Sequence, residues 1–169
     1  MTYVATFDRI EFIPAHYVLA DDDDFIREED GEFSYVGDAD YVIIPEKINE
    51  VTITIANGYL FQERRDILGV AFQSPKNITS MEDLFFGSEA TSLDLSGFDT
   101  SNVTNMSFMF VGSQATSLDL SSFDTSNVND MDGMFKDSLV TSGYARNETE
   151  AAKFNDLIGT AVFVVKPQA

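Results

Sequence analysis

Apolar residues recur at an interval of 25 positions through the middle of the chain. The segment SLDLS at 92–96 returns at 117–121, and FDTSNV at 98–103 returns at 123–128. With less identity, the same interval aligns Ile43, Leu68, Leu93 and Leu118; Ile53, Ile78, Val103 and Val128; Met81, Met106 and Met131; Leu84, Met109 and Met134; and Leu60, Phe85, Phe110 and Phe135. The pattern predicts a solenoid of about four coils between residues 39 and 140, because one such unit cannot bury its apolar face without stacked neighbours.

Within one repeat, the alternation of apolar and polar residues predicts a short strand. Leu93 and Leu95 should face the core, since alternate side chains of a strand point to the same side. The outward positions of two successive repeats are then Ser92, Asp94, Ser96, Ser117, Asp119 and Ser121. If the coils stack in register, Asp94 and Asp119 lie about 4.8 Å apart, and their repulsion is relieved by hydration, by a cation or by a cationic or hydroxyl-rich partner. These six residues are the candidate partner-binding face, with a hydrated scaffold as the alternative.

The rest of each repeat predicts a second wall. Met106, Met109 and Phe110 have helix-like spacing and should close the coil opposite the strand. Gly87 and Gly112 suit turns that need a positive φ before the next strand. The fold class is therefore α/β, a short leucine-rich-repeat-like solenoid with parallel strands and short helical turns.

Two kinds of polar residue are predicted to stabilise the corners of the coils. Asp99 and Asp124 should cap the corner turns. Asn102 and Asn127 lie within apolar stretches and should hydrogen-bond turn backbone rather than a ligand.

The two ends differ from the middle and are predicted as caps. Residues 1–38 should form a β-rich N-terminal cap with short strands at 3–7, 17–19 and 33–36. Residues 141–169 should form a helix-strand C-terminal cap. In it, Asn147 begins a helix over 148–158, Gly159 ends it, and 160–165 forms a buried last strand. The buried helix face should be formed by Ala151, Phe154 and Ile158.

Composition narrows the classes of partner. Of 169 residues, 44% are hydrophobic and 15 are Phe, which indicates a folded domain. The 29 acidic and 10 basic residues give a formal net charge of -19, which disfavours nucleic acid and anionic membrane surfaces. No apolar run approaches the roughly 18 to 20 residues that span a bilayer, and residues 1–12 lack the features of a signal peptide. The chain has no Cys, which excludes disulfides and thiolate metal sites.

An acidic run near the N-terminus raises the question of a calcium site. Residues 21–24 are all Asp, and further acids follow up to Glu32. In an EF-hand register starting at Asp21, however, Phe25 and Ile26 would occupy positions that need an oxygen ligand and a Gly. A solvated acidic loop is preferred, with an irregular cation site as the alternative.

The sequence offers little support for catalysis. His16 is the single imidazole, so neither a His-dependent triad nor a His-rich metal site is predicted. GxGxxG and GxxxxGK[ST] are both absent, so nucleotide binding has no sequence support. Two carboxylates can run glycoside hydrolysis, but the acids are too numerous to single out a pair. We assign no catalytic, cofactor-binding or metal residues and interpret the chain as non-enzymatic.

The two-copy pattern LDLSxFDTSNVxxMxxMF within residues 81–138 resembles the BspA-like leucine-rich-repeat surface proteins, a bacterial and prophage-encoded family. The segments YVG at 35–37 and YVIIP at 41–45 resemble its usual lead-in, and GYAR at 143–146 and VFVVKP at 162–167 its closing segment. The resemblance implies a module displayed on a cell surface, phage tail or virion that contacts a host protein or glycan. It implies no reaction, and the family has no common set of binding residues to carry over.

Three functions follow as expectations. The leading one is a surface- or virion-associated binding module; because the chain lacks signal and wall-anchor segments, a phage protein made in the cytoplasm is favoured. The alternative is an acidic soluble phage-encoded inhibitor of a basic host defence protein, which the charge of -19 favours. A carbohydrate-active enzyme is the third. No cofactor is expected, and the partner's identity and the oligomeric state stay open.

Overall fold

The computed structural model describes residues 17–29, 32–62 and 64–167. The elements, in chain order, are β1 (Val18–Leu19), β2 (Phe25–Arg27), β3 (Phe33–Tyr35), β4 (Tyr41–Ile44), β5 (Lys47–Ile48), β6 (Val51–Thr52), β7 (Gly69–Phe72), β8 (Asp94–Gly97), β9 (Ser117–Leu120), β10 (Ser142–Ala145), α1 (Glu148–Ile158) and β11 (Phe163–Val165). Short 3-10 helices occupy Asp22–Asp24 and Pro75–Asn77. The predicted strands at 17–19 and 33–36 correspond to β1 and β3, whereas the predicted strand at 3–7 and His16 lie outside the described residues.

Parallel strands stack along one wall of a solenoid of about five turns. The strands β1, β4, β7 and β8 form one sheet, β9, β10 and β11 form another, and β8 contacts β9. Gly69 pairs with Asp94, and Leu118 pairs with Gly143. Both pairs keep the interval of 25 residues, so the α/β solenoid with parallel strands is confirmed.

The first coil departs from the predicted phase. Ile43 pairs with Ala71, which is 28 positions away, so the predicted alignment of Ile43 with Leu68 is wrong. A second ladder of parallel bridges joins Ile55, Ser80, Asn105 and Asp130 and keeps the predicted interval. The three extra residues are taken up between β4 and this ladder by the antiparallel hairpin β5–β6. Its turn places Asn49 and Glu50 at φ values of 48° and 66°.

Stacked Phe side chains run through the core from coil to coil. The rings of Phe61, Phe85, Phe110 and Phe135 are nearly parallel, with successive centroids 6.1, 5.6 and 5.8 Å apart. A second column consists of Phe72, Phe98 and Phe123, with centroids 5.5 and 5.8 Å apart. Leu60, which the repeat aligns with Phe85, is buried but lies beside the stack that Phe61 begins. The columns and the buried Met81, Met106, Met109 and Met134 form one continuous core.

Left-handed residues shape the wall opposite the strands. Gly87 and Gly112 have φ values of 62° and 64°, as predicted, and Asp137 has the same conformation one repeat later, with φ of 56°. Asp83 and Phe108 are also left-handed, each with φ of 57°. A left-handed residue interrupts an α-helix, so the predicted helical turns of this wall are successive tight turns.

The C-terminal helix follows the prediction. Helix α1 begins after Asn147, whose side chain accepts a hydrogen bond from the Glu150 amide at 3.0 Å, and it ends at Gly159, which is left-handed with φ of 78°. Ala151 and Phe154 are buried. Ile158 packs against the core, as predicted.

The last strand is shorter and less buried than predicted. It begins at Phe163 rather than at residue 160, and Val164 is 56% exposed. Phe163 is buried, and its ring lies 5.2 Å from that of Phe135. The prediction of a buried strand over 160–165 is therefore wrong for all but Phe163, because β11 is the outermost strand of its sheet.

Candidate functional site

The outward side chains of β8 and β9 occupy the predicted face. Ser92, Ser96, Ser117 and Asp119 are exposed, and Asp94 and Ser121 are half-buried. The intervening Leu93, Leu95, Leu118 and Leu120 are buried. The alternation therefore separates core from surface as predicted, and the binding role of the six outward residues stays a prediction.

Hydrogen bonds fix the two aspartates of this face. The Asp94 carboxylate accepts from the Ser96 amide at 3.0 Å, and the Asp119 carboxylate accepts from the Ser121 amide at 3.0 Å. The Lys166 ammonium, which follows β11, lies 2.5 Å from the second oxygen of Asp119. Burial alone would raise the pKa of Asp119, but the bonds from Lys166 and Ser121 outweigh burial and lower it. The face is therefore less negative than the aspartates alone predict.

Two tyrosines approach Asp94 from the N-terminal side. The rings of Tyr17 and Tyr41 meet edge to face with centroids 5.4 Å apart. Gly69, which pairs with both Tyr41 and Asp94, makes room for them, because an added Cβ would lie 2.5 Å from the Tyr17 hydroxyl. That hydroxyl donates to the Asp94 carbonyl at 3.5 Å. Burial, followed by the charge of Asp94, raises the pKa of Tyr17.

A third tyrosine lies on the other side of the aspartates. Tyr144 pairs in register with Asp119 across β9 and β10, and 40% of its surface is exposed. We call Tyr17, Tyr41, Asp94, Asp119 and Tyr144 the tyrosine–aspartate row. Sequence reasoning missed its tyrosines, although the interval of 25 residues from Asp119 leads directly to Tyr144.

The corner residues are structural, as predicted. Asn102 donates to the Lys76 carbonyl at 2.9 Å, and Asn127 donates to the Ser101 carbonyl at 2.7 Å, each one coil back. Asp99 and Asp124 accept from the amides two residues ahead at 3.1 and 3.0 Å. The bonds from Ser126, together with an ion pair to Arg146, lower the pKa of Asp124 to about 2. These side chains therefore hold the corners of the coils.

The acidic run caps a short helix. The Asp21 carboxylate accepts from the Asp23 amide at 3.0 Å, and Asp24 accepts from the Asp21 amide at 3.0 Å. Asp22 accepts from the Asn49 amide of the β5–β6 turn at 2.8 Å. Within residues 17–29, 32–62 and 64–167, no three His, Cys, Asp or Glu side chains are grouped to hold a metal. The contacts that the structure gives to the run are therefore caps.

A groove that the sequence does not predict lies on the turn wall between the first two coils. Its volume is about 460 Å³. The lining includes Asn57, Tyr59, Gln62, Arg65, Glu82 and Phe86. Tyr59 is 44% exposed and Phe86 is 50% exposed, which is unusual for large apolar side chains in one place.

The groove exists because the backbone bonding of the turn wall changes there. In the later coils, the amides of Phe85 and Gly87 donate to the carbonyls of Met109 and Val111 at 2.9 and 2.7 Å. In the first coil, the equivalent amides of Leu60 and Gln62 donate within their own turn, to Asn57 and Tyr59, at 3.0 and 3.3 Å. The first two coils are thus not drawn together along this wall.

Replacing Asp83 with Asn should raise the melting temperature at neutral pH. Burial, followed by the charge of Glu82, raises the pKa of Asp83 above its ordinary value of 3.8, so ionised Asp83 destabilises the folded state. Asn has the same shape and tolerates the left-handed conformation. The gain should be full above the folded-state pKa and vanish below pH 3.8, where the carboxyl is protonated in both states.

Thermal melts across this pH range, with Asp156→Asn on the exposed side of α1 as the control, test the prediction. A difference between Asp83→Asn and the native protein that does not change with pH would contradict it.

A family model matches residues 59–160, more than half of the chain. The chain belongs to the family described as Mycoplasma protein of unknown function, DUF285. The DUF285 match includes strands β7 to β10, helix α1, the six predicted face residues and most of the groove, whereas Tyr17 and Tyr41 precede it. No curated protein and no solved structure matches the chain. Among the described residues, no helix is long and apolar enough to cross a membrane.

Proposed function

We propose that this DUF285 protein is a non-enzymatic binding module of the BspA-like type, displayed on a cell surface or virion, that recognises a host protein or glycan. The observation that carries the proposal is the tyrosine–aspartate row, with serines above and below it on one wall of the solenoid. The LDLSxFDTSNVxxMxxMF repeat and membership of DUF285 support it.

The chemistry of the row suits recognition of a polar partner. Tyr144 offers an apolar ring with a polar hydroxyl, a combination that is enriched at protein interfaces. The carboxylates of Asp94 and Asp119 are held by amide bonds at 3.0 Å, so binding costs little side-chain entropy. Serine hydroxyls beside them both donate and accept hydrogen bonds.

Substitution of the row should reduce partner binding by about tenfold or more, as expected when interface anchors are truncated. The variants are Asp119→Ala and Tyr144→Ala, alone and combined, measured as binding of the labelled protein to arrayed extracellular proteins and glycans. Asp156→Ala removes an exposed acid from α1 and is the matched control. Binding that survives the combined substitution while the fold is intact would remove this face from the proposal.

The alternative function, an inhibitor of a basic host protein, is favoured by the net charge of -19. Binding between opposite net charges weakens steeply as salt screens them. A partner whose affinity falls sharply with added salt would support the inhibitor, whereas a partner held at high salt would support recognition through the row.

A further inference from the structure

We propose that the groove between the first two coils binds a sugar ring of a neutral glycan. The site goes beyond the proposed function, because it lies on the turn wall and uses no residue of the tyrosine–aspartate row. Its volume of about 460 Å³ falls within the roughly 300 to 1,000 Å³ of small-molecule sites.

Two exposed aromatic side chains provide the apolar contact. Tyr59 and Phe86 both line the groove, and 44% and 50% of their surfaces are exposed. A pyranose ring has apolar C–H faces that stack against an aromatic ring while its hydroxyls point outward to polar groups. At the position of Phe86, the next coils have Val111 and Lys136, so the aromatic pair occurs once in the 25-residue series.

The polar lining is mixed and held in place. Glu82 accepts from the Asn105 amide group at 3.2 Å. Gln62 donates to the buried Ser34 hydroxyl at 2.9 Å and to Glu28 at 3.2 Å. Side chains fixed by such neighbours bind a ligand with less loss of entropy. Carboxylate, amide and guanidinium groups together match hydroxyls, which donate and accept.

The charges of the groove favour a neutral ligand over an ionic one. A cation that stacked on Tyr59 or Phe86 would also meet the guanidinium of Arg65. An anion that paired with Arg65 would meet the carboxylates of Glu82 and Asp83. A neutral polyhydroxylated ring avoids both repulsions and uses all of these groups as hydrogen-bond partners.

Titration with neutral oligosaccharides tests the site. The probes are maltotriose, cellotriose, N,N′,N″-triacetylchitotriose and lactose, followed by amide chemical shifts in ¹⁵N-labelled protein. We expect at least one sugar to shift the amides of Tyr59, Gln62 and Phe86. Phe86→Ala and Tyr59→Ala should each weaken that sugar by about tenfold, and Phe86→Tyr should retain it. Val164→Ala, which shortens an equally exposed apolar residue on β11, is the matched control.

Several results would overturn the site. It is wrong if none of the four sugars shifts these amides at its solubility limit, or if Phe86→Ala binds as the native protein does. Shifts produced by arginine amide or by glucose 6-phosphate, and by no neutral sugar, would assign the groove to an ionic ligand instead. Asp119→Ala combined with Tyr144→Ala should leave the titration unchanged, which separates failure of this site from failure of the proposed function.

Discussion

Replacing Phe110 with Ala should lower the free energy of unfolding by about 3 to 5 kcal/mol. Phe110 is fully buried, and its ring is stacked between those of Phe85 and Phe135 at 5.6 and 5.8 Å. Its loss leaves a cavity in the middle of a core whose coils contact only their neighbours, so the two halves of the solenoid lose much of their coupling. A loss of this size is a large share of the roughly 5 to 15 kcal/mol typical of a domain.

Phe86→Ala is the matched control for this prediction, because it removes the same side chain from an exposed position beside the stack. Its effect should be within about 0.5 kcal/mol of zero. Denaturant unfolding followed by circular dichroism gives both values. Should Phe110→Ala fail to fold, Phe110→Leu provides a smaller measurable loss. Equal effects at positions 86 and 110 would show that the Phe column contributes no special stability.

The interval of 25 residues predicts most of the solenoid because it reports a repeated packing environment. Leu93 and Leu118 are inward for the same reason, namely that each continues the same row of the core. The phase of Ile43 could not be predicted in this way. Extra residues in the β5–β6 hairpin change the spacing without changing the polarity pattern, and Asn49 and Glu50 are not strong turn signals on their own.

The left-handed residues show a second limit of sequence reasoning. Gly87 and Gly112 were predictable because Gly is the usual residue at positive φ. Asp83 and Phe108 have the same kind of conformation without that signal, imposed by the stacking of the coils. The groove depends on this wall, since it forms where the amides of Leu60 and Gln62 bond within their own turn. No residue pattern announces such a change of partner.

The candidate face was predictable in its strands and unpredictable in its partners. Alternation places Asp94 and Asp119 outward, but the pairing of Asp119 with Lys166 joins residues 47 positions apart. Tyr144 was within reach of the repeat interval, whereas Tyr17 and Tyr41 precede the clear repeats. Long-range ion pairs and coil-to-coil contacts therefore decide how polar the face is, and both follow from the end of the chain returning to the sheet in β11.

Replacing Gly143 with Ala should cost about 1 to 3 kcal/mol, the usual penalty for overpacking a core. Gly143 takes the repeat position of Leu118, with which it pairs, but here the space belongs to Phe163. An added Cβ would lie 2.4 Å from the Phe163 ring and 2.8 Å from the Leu118 carbonyl oxygen, so β10 or β11 must shift. Ser142→Ala, at an exposed position of the same strand, is the control and should be nearly neutral.

A double-mutant cycle shows whether Phe163 is the reason for glycine at this position. Phe163→Ala alone should cost about 3 to 5 kcal/mol, because it opens a cavity beside Phe135 and Phe154. In that background, Gly143→Ala should cost at least about 1 kcal/mol less than in the native protein, since the ring that it strikes is gone. If Gly143→Ala costs the same in both backgrounds, the clash lies with the Leu118 carbonyl, and the return of β11 to the sheet does not determine the residue at 143.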